Sequence, residues 1–333
     1  MSLNSTAHGL ALSLLARTDA GVKRHTIGGA TVIDCGVRET GSEPAGVALA
    51  GIAMAGLGEI AVAASAAGTL LEAGWPDCPY RVVTVASAHP IAGCLASQYA
   101  GWKVAVGDFF AMASGPIRAA IGREPLFDVI DHRERPDVAV GLLETASLPS
   151  EEVCRTLAAD AGVAVESLLL LAARTASPAG TLQVIARSLE TALHKLHDLG
   201  FDLGRIIRGQ GAAPLAPVPA GKGRDLVAIG RTNDAILYGG HVVLEVTGSD
   251  ESLADIGPRA VSGSSPDHGR SFLELFERAG RDFYALDPAL FAPAVIEFVN
   301  VDTGRVHRHG QLAPEIVARS FAGATPIAAA TGD

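Results

Sequence analysis

The chain has 333 residues and a formal net charge of −10, from 26 basic and 36 acidic residues. With 48% hydrophobic and 19% charged residues it is not a disordered chain. An acidic chain without a basic block also argues against nucleic-acid binding. The length predicts about two domains.

Cysteine usage and the N-terminal segment both predict a cytoplasmic protein. The four cysteines include no C-x-x-C pair and are too few for a disulfide framework in a chain of this length. The first 25 residues show no charged start followed by an unbroken apolar stretch, as a signal peptide would. Residues 44–74 are nearly uncharged, but they are rich in Ala and Gly and carry Glu59 in their middle. They therefore predict packed core rather than a membrane span.

The first part of the chain predicts alternating helices and strands. Leucine-rich residues 3–16 predict a helix, the Val/Ile/Thr-rich run 26–37 predicts a strand, and 47–53 is a second run of this composition. The small-residue segment 58–72 predicts a helix, and the Val-rich segment 81–86 predicts a short strand.

The middle of the chain predicts its longest helix. Residues 137–143 predict a strand, and 163–171 form a further apolar run. Residues 181–199 predict a helix, because leucines recur on one face and Gly200 supplies a stop. The Gly/Pro-rich segment 208–223 predicts a long loop.

The C-terminal part returns to strands. We predict strands over 225–230 and 235–246, a loop over 248–268, a helix over 270–279 and a strand over 294–301.

The alternation of strands and helices predicts an α/β protein. The charged run 131–137 and the segment 208–223 are both candidate connections between lobes. We predict an N-terminal α/β lobe over 1–135 and a C-terminal α/β lobe over 136–333, in an arrangement that allows the lobes to be interleaved in sequence.

A polar stripe runs along the helix predicted over 181–199. One interpretation is a solvated face with an Arg–Glu pair worth about 0.2–0.5 kcal/mol. The other is the lining of a cleft, in which Glu190 is a base and Arg187 sets its charge state. His194 and His197 also suggest a metal ion, although no third ligand accompanies them. The stripe consists of Gln183, Arg187, Glu190, His194 and His197, at spacings of three and four residues.

A second polar cluster lies between the predicted strands 225–230 and 235–246. Arg231, Asn233 and Asp234 form either a turn that hydrogen-bonds itself or a site on a loop held by a rigid scaffold.

A third candidate region precedes residue 120. Ser114 predicts a helix cap with Pro116 in the first turn, and such a helix start attracts anions. In the segment 96–102, Tyr99 and Trp102 accompany hydroxyl and amide groups, which suits a flat, partly polar ligand. Core packing of the two aromatic side chains is the alternative.

Two shorter motifs carry less information. Gly209-x-Gly211 is not a dinucleotide fingerprint, because it does not lie between a strand and a helix with the required third glycine. His307 and His309 have strand spacing and predict polar residues at a surface or strand end, with metal binding as the alternative.

Four stretches together resemble the methenyltetrahydromethanopterin cyclohydrolase family. They are ASQYAGW (96–102), FAMASGPIRA (110–119), RTASPAGTLQVIARSLETALHKLHDLGFD (174–202) and GRTNDAILYGG (230–240). The resemblance runs through most of the chain and implies two α/β lobes that enclose a cleft, with a topology other than the Rossmann fold.

The resemblance also implies a reaction. Members of this family hydrolyse the methenyl carbon that bridges N5 and N10 of tetrahydromethanopterin and give the N5-formyl compound, reversibly and without a metal or redox cofactor. The expected partner is therefore a small-molecule pterin, with neither nucleic acid nor membrane involved. A homotrimer is the expected assembly.

The family's catalytic arginine and glutamate match Arg187 and Glu190, and a further glutamate of the family matches Glu144. A family lysine expected near the first stretch has no match, because Tyr99 occupies that position. Arg118 and Arg231 are expected to meet the anionic tail of the pterin. The full set of candidate substrate-binding residues is Glu144, Ser97, Gln98, Tyr99, Ser114, Gly115, Arg118, Arg231, Asn233 and Asp234.

Two rival functions stay open at this point. One is a metal-dependent amidohydrolase that uses His194 and His197. The other is a non-catalytic pterin-binding protein, against which the presence of both Arg187 and Glu190 argues.

Overall fold

The computed structural model describes residues 2–323, which form two six-stranded mixed sheets with helices packed on them. The strands are β1 (Lys23–Ile27), β2 (Ala30–Asp34), β3 (Glu59–Ala63), β4 (Val82–Ser87), β5 (Trp102–Val106), β6 (Phe109–Ser114), β7 (Ala139–Glu144), β8 (Leu168–Ala173), β9 (Ile206–Pro214), β10 (His241–Val246), β11 (Val295–Asn300) and β12 (Val306–Gly310). The α-helices are α1 (Leu3–Leu15), α2 (Glu43–Ala53), α3 (Ile117–Ile121), α4 (Leu126–Ile130), α5 (Glu151–Ala161), α6 (Pro178–Ile185), α7 (Ser188–Asp198), α8 (Arg224–Leu237), α9 (Asp250–Ile256), α10 (Phe272–Arg278) and α11 (Pro314–Gly323).

Both sheets mix parallel and antiparallel strands. The first has the order β1-β2-β8-β7-β6-β5, in which β2, β8 and β7 run parallel. The second has the order β12-β11-β10-β9-β4-β3, in which β10 and β11 are the parallel pair. This arrangement confirms the α/β class and differs from the mostly parallel Rossmann sheet.

Each sheet takes strands from both sides of residue 135. The first sheet combines β1, β2, β5 and β6 with β7 and β8, and the second combines β3 and β4 with β9 to β12. The two sheets are therefore interleaved in sequence, and the division into lobes at residues 1–135 and 136–333 stays a prediction.

Several predicted elements are confirmed. The structure has a helix or strand of the predicted type at α1, β4, β7, α10 and β11. The apolar run 163–171 ends in the fully buried strand β8. The single strand predicted over 26–37 is instead the end of β1, a turn and β2, which form an antiparallel hairpin that turns at Gly28 and Gly29, both with positive φ.

The predicted helix over 58–72 is wrong, and the Val/Ile/Thr-rich run 47–53 lies in a helix. Residues 43–53 form α2, because Ser42 caps the N–H of Ala45 and a proline occupies the first turn. Small residues let α2 pack closely on α6, since a Cβ at Gly46 would lie 2.8 Å from Leu182 Cβ. Residues 59–63 instead pair with β4 as the edge strand β3.

The predicted strands 225–230 and 235–246 also need correction. The first is the start of α8, and the second divides between the end of α8 and β10. The buried side chains of Ala228, Thr232 and Ala235 recur at the helical spacing of three and four residues. Short apolar runs such as 225–230 do not reveal this period, because they are too short to distinguish a helix from a strand.

Two predicted loops contain regular structure. The segment 208–223 begins within β9, whose Gly- and Ala-rich sequence hides a strand that pairs with β10 and β4. The segment 248–268 contains α9, which Ser249 caps through the N–H of Ser252.

The long helix predicted over 181–199 is broken into α6 and α7. Arg187 stands at the break with φ −85° and ψ 8°. The side-chain amide of Gln98 donates to the carbonyl of Ala186 at 3.3 Å and so satisfies a backbone group at the break. The break ends α6 and begins a new helix, whose first turn contains Glu190.

The first turn of α7 lies directly on β9. A Cβ at Gly211 would stand 2.5 Å from Ser188 Oγ and 2.9 Å from the backbone nitrogen of Leu189. A Cβ at Gly209 would meet the Leu189 side chain at 2.6 Å. These two glycines of the Gly209-x-Gly211 motif therefore set the distance between the helix and the sheet.

We predict that Gly211→Ala destabilises the protein by about 1–3 kcal/mol, because the added methyl group pushes against helix backbone that cannot move freely. Denaturant unfolding measures the difference. Gly51→Ala is the matched control: Gly51 lies in α2 with nothing within 4 Å of an added Cβ, so it should stabilise slightly. Equal stability of the two variants would contradict the close contact.

Candidate functional site

A cleft of about 680 Å³ lies between the first sheet and the helices α7 and α8. Its walls come from the β5–β6 hairpin, the carboxyl ends of β7 and β8, one face of α7, one face of α8 along most of its length, and an aromatic segment at 283–291. Because β7 and β8 are adjacent and parallel, the residues that follow them reach the cleft side by side.

Glu190 is the most deeply buried carboxylate of the cleft lining, with 5% of its surface exposed. Burial raises its pKa to about 7, and the positive charges of Arg187 and Arg118 oppose this rise. Its place in the first turn of α7 adds the favourable end of the helix dipole for the ionised form. Glu190 can therefore both take up and release a proton near neutral pH.

Arg187 faces the same cleft from the helix break. Its Nη2 donates to Gln183 Oε1 at 3.1 Å, and its Nη1 lies 3.7 Å from Glu144 Oε2. Its Nε is buried and has no hydrogen-bond partner among the described residues 2–323. Glu144 ends β7 and accepts a hydrogen bond from Thr175, which follows β8. The interpretation of the stripe as a solvated face is therefore wrong for Gln183, Arg187 and Glu190, which are all buried.

Tyr99 and His194 form a stacked pair in the cleft wall. Their ring centroids are 4.2 Å apart and their planes differ by 19°. The guanidinium of Arg118 packs against the Tyr99 ring, 4.8 Å from its centroid. Burial and the nearby charge of Glu190 raise the pKa of Tyr99, so this side chain stays a neutral phenol.

The structure brings Arg187, Glu190, Glu144, Tyr99 and Asn233 together in the cleft lining. The other predicted binding residues lie outside it. Ser97, Gln98, Ser114 and Gly115 are placed behind the wall, where Ser97 O accepts from the Gly115 N–H and Gln98 supports the helix break. Ser114 ends β6 and caps no helix, because the short helix α3 begins only after Pro116 and has no side-chain cap.

The candidates Arg118 and Arg231 both form hydrogen bonds with other parts of the protein outside the cleft lining. Arg118 is fully buried and bonds to Leu95 O and to Glu124. Arg231 donates to the carbonyls of Ser320 and Pro217, which holds α8 against α11 and the preceding loop. Neither side chain lines the cleft, and the expectation that Arg118 and Arg231 meet a ligand tail stays a prediction.

Asp234 also points away from the cleft. Its Oδ1 accepts from the N–H of Phe272 at 2.7 Å, at the start of α10, and burial raises its pKa to about 7. It serves as an N-terminal anchor for α10 within the core.

Sequence reasoning missed a second ion pair of the cleft. Arg174 follows β8 and donates from Nε to both carboxylate oxygens of Asp225, each at 3.2 Å, in the first turn of α8. Both residues line the cleft. The signal was the position of Arg174 directly after the strand next to β7, at the edge where Glu144 ends its own strand.

The part of the chain that the structure describes contains neither a cluster of metal-binding side chains nor a helix that could span a membrane. Between residues 2 and 323, no three His, Cys, Asp or Glu side chains are grouped as a metal site would need. Over the same residues, no helix has both the length and the apolar character required to cross a bilayer. His307, near the start of β12, bonds to Asp250 at 2.8 Å.

Comparison with known proteins identifies the family to which the chain belongs. The family model described as Cyclohydrolase (MCH) matches residues 2–321, which is nearly the whole chain. Proteins named methenyltetrahydromethanopterin cyclohydrolase are similar to this chain at 43% identity in Rhodopirellula baltica (89% of this chain, 87% of that protein), 42% in Methylobacterium nodulans (96% and 98%) and 37% in Methanococcoides burtonii (88% and 89%). The chain belongs to the methenyltetrahydromethanopterin cyclohydrolase family, as the four stretches predicted.

We predict that the Glu190 carboxyl titrates near pH 7 and that Arg187→Ala moves this pKa higher, because a nearby positive charge is lost. Infrared titration of the carboxyl bands, with Glu190→Gln as the reference that assigns them, measures both values. Arg174→Ala is the control: it removes another cleft arginine, one that pairs with Asp225, and should leave the pKa of Glu190 in place. Titration of Glu190 near the ordinary glutamate value would contradict its burial.

Proposed function

We propose that this chain hydrolyses N5,N10-methenyl-tetrahydromethanopterin reversibly to the N5-formyl compound, with Glu190 as the base. The observation that carries the proposal is a buried carboxylate poised near pH 7 in a cleft, beside an arginine that lowers its pKa. Membership of the cyclohydrolase family supports the substrate and the reaction.

The charge of the cleft suits this substrate. The methenyl bridge between two nitrogens is an amidinium-like cation. Acidic groups outnumber basic ones in the lining, and an excess of negative charge favours a cationic ligand. The acidic residues are Asp108, Glu144, Glu190, Asp198 and Asp225, and the arginines are Arg174 and Arg187.

The proposed reaction proceeds in two steps at Glu190. Water adds to the methenyl carbon, forms a C–O bond and gives one proton to the ionised carboxylate. The resulting carbinolamine then breaks its C–N10 bond, and Glu190 returns that proton to N10 as the amine leaves. The hydroxyl of the carbinolamine loses its own proton to Glu190 as the C=O bond of the formyl group forms. No electrons are transferred to or from the substrate, so these steps call for no redox cofactor.

Arg187 has a positioning role in this proposal. It holds Glu144 on one side and lowers the pKa of Glu190 on the other, which keeps a larger fraction of Glu190 ionised at neutral pH. Since the bound cation already favours ionised Glu190, the carboxylate must gain more in the transition state than in the ground state to accelerate the reaction.

Purified protein tests the function directly. Decay of the methenyl absorbance band on mixing with the substrate is the expected result. Binding without decay would indicate the non-catalytic pterin-binding protein, and activity that follows a stoichiometric zinc content would indicate the amidohydrolase.

We predict that Glu190→Gln lowers kcat by about 10²–10⁴-fold while substrate binding largely survives, because the amide keeps the shape and removes the base. In the parent protein the rate should rise with pH through about 7, since the ionised carboxylate is the active form. Glu152→Gln, an exposed glutamate of α5, is the control for the same substitution. A folded Glu190→Gln variant with kcat within a few-fold of the parent would move the base to another residue, with Glu144 the first to examine.

We also propose that the chain assembles as a homotrimer. The edge strand β3 leaves one side of its backbone unpaired, and it lies within the Ala/Gly-rich segment 44–74, which suits close packing against a neighbouring subunit. Light scattering should give a mass near that of three 34.0 kDa chains. A mass near that of one chain at micromolar concentration would contradict this.

We propose the cytoplasm as its compartment. Cys35, Cys78, Cys94 and Cys154 are all buried free thiols, a state that a reducing compartment maintains. Cell fractionation with an antibody to the chain tests this assignment.

A further inference from the structure

The proposed reaction leaves a proton behind in the cleft. A cationic substrate and neutral water become a neutral formyl product, so each turnover releases one proton. In the two steps above, this proton is the one that leaves the carbinolamine hydroxyl, and it ends on Glu190. Because Glu190 is buried at the bottom of a cleft that the substrate fills, the proton needs a path to solvent before the next turnover.

Helix α7 carries such a path. Glu190, His194 and Asp198 follow one another at intervals of four residues, so they lie on one face at successive turns, and all three line the cleft. Exposure increases along the row: Glu190 is 5% exposed, the His194 side chain 26% and the Asp198 side chain 44%. The row thus leads from the buried carboxylate to the solvent at the end of the helix.

His194 is held in place by its neighbours. Its ring stacks on Tyr99, and its Nδ1 lies 3.6 Å from Asp198 Oδ2. The other ionisable groups around it are His197, 6.4 Å away between ring centroids, and the Arg118–Glu124 pair behind Tyr99. Burial lowers the pKa of His194, and Asp198 opposes this effect, so the resting imidazole is neutral at pH 7 and has one nitrogen free to accept a proton.

We propose that His194 relays the released proton from Glu190 to Asp198 and the solvent. This inference rests on the proposed function. In the forward direction the neutral imidazole takes a proton from protonated Glu190, directly or through one water, and gives up a proton on its other nitrogen towards Asp198. The relay restores ionised Glu190 and neutral His194 after each turnover. In the reverse direction the same row supplies the proton that formation of the methenyl cation consumes.

The test compares His194→Phe with His197→Phe. The first variant keeps an aromatic ring against Tyr99 and removes the proton-carrying nitrogens. The second makes the same substitution one turn away, at a histidine that does not line the cleft. Each protein is assayed by decay of the methenyl band at fixed pH and ionic strength, at increasing concentrations of imidazole buffer. A pH indicator in weakly buffered solution follows proton release in parallel.

The relay predicts that His194→Phe lowers kcat by about 10²-fold in weak buffer, at the low end of the usual contribution of a proton-transfer group. Imidazole should restore much of this loss as a diffusible carrier, with little change in KM. The parent and His197→Phe should show no dependence on buffer concentration.

Two results would overturn the relay. One is a His194→Phe variant with parental kcat, and the other is a lowered kcat that imidazole does not restore, which would indicate a structural role. Asp198→Asn gives a second measure, because loss of the outer group should make the rate partly buffer-dependent. Absence of methenyl decay in the parent protein would instead refute the proposed function, and the relay would fall with it.

Discussion

The geometry of the cleft depends on how closely the start of α7 approaches β9. A helix laid on a sheet normally stands off by the length of the intervening side chains, and here Gly209 and Gly211 remove those side chains from the strand. Ser188 and Leu189 can then contact the sheet, while Arg187 and Glu190 line the cleft. The absence of side chains at Gly209 and Gly211 of β9 thus sets the position of the Glu190 carboxylate.

The electrostatics of Glu190 result from opposing effects, of which burial is the largest. Removal from water favours the neutral acid, whereas two arginines and the first turn of a helix favour the carboxylate. The result is a pKa of about 7. Arg187 can take part because α6 ends at Ile185, and Gln98 from the π-helix at Ile91–Gln98 supports the break that follows. A residue remote in sequence therefore helps to determine the charge of Glu190.

The sequence predicted the place of Arg187 and Glu190 in a cleft lining better than it predicted the framework. Glu190 and Arg187 could be singled out because the periodicity of residues 181–199 shows a polar stripe opposite a leucine face. The family motif over 174–202 covers both residues. The elements rich in small residues could not be predicted from the sequence. Helix α2 and strand β9 are rich in Ala and Gly, and close packing between elements, more than local propensity, decides whether such segments form a helix or a strand. The same reason hides the contacts of some candidate binding residues. Arg231 and Asp234 look like site residues in the motif, and only the packing of α8 against α10 and α11 reveals the hydrogen bonds that they form inside the fold.

The interleaved strands have a consequence for how the chain is made. In the first sheet Thr31 of β2 pairs with Leu169 of β8, and in the second Val85 of β4 pairs with Gly211 of β9. During synthesis the N-terminal strands leave the ribosome long before their partners exist, so neither sheet can close in the order in which its residues are translated. Contacts so distant in sequence also slow folding, because the entropy of closing large loops is lost before any pairing compensates for it. The nascent chain must therefore wait with one edge of β2 and one edge of β4 unpaired, a state in which chaperones and aggregation compete for it.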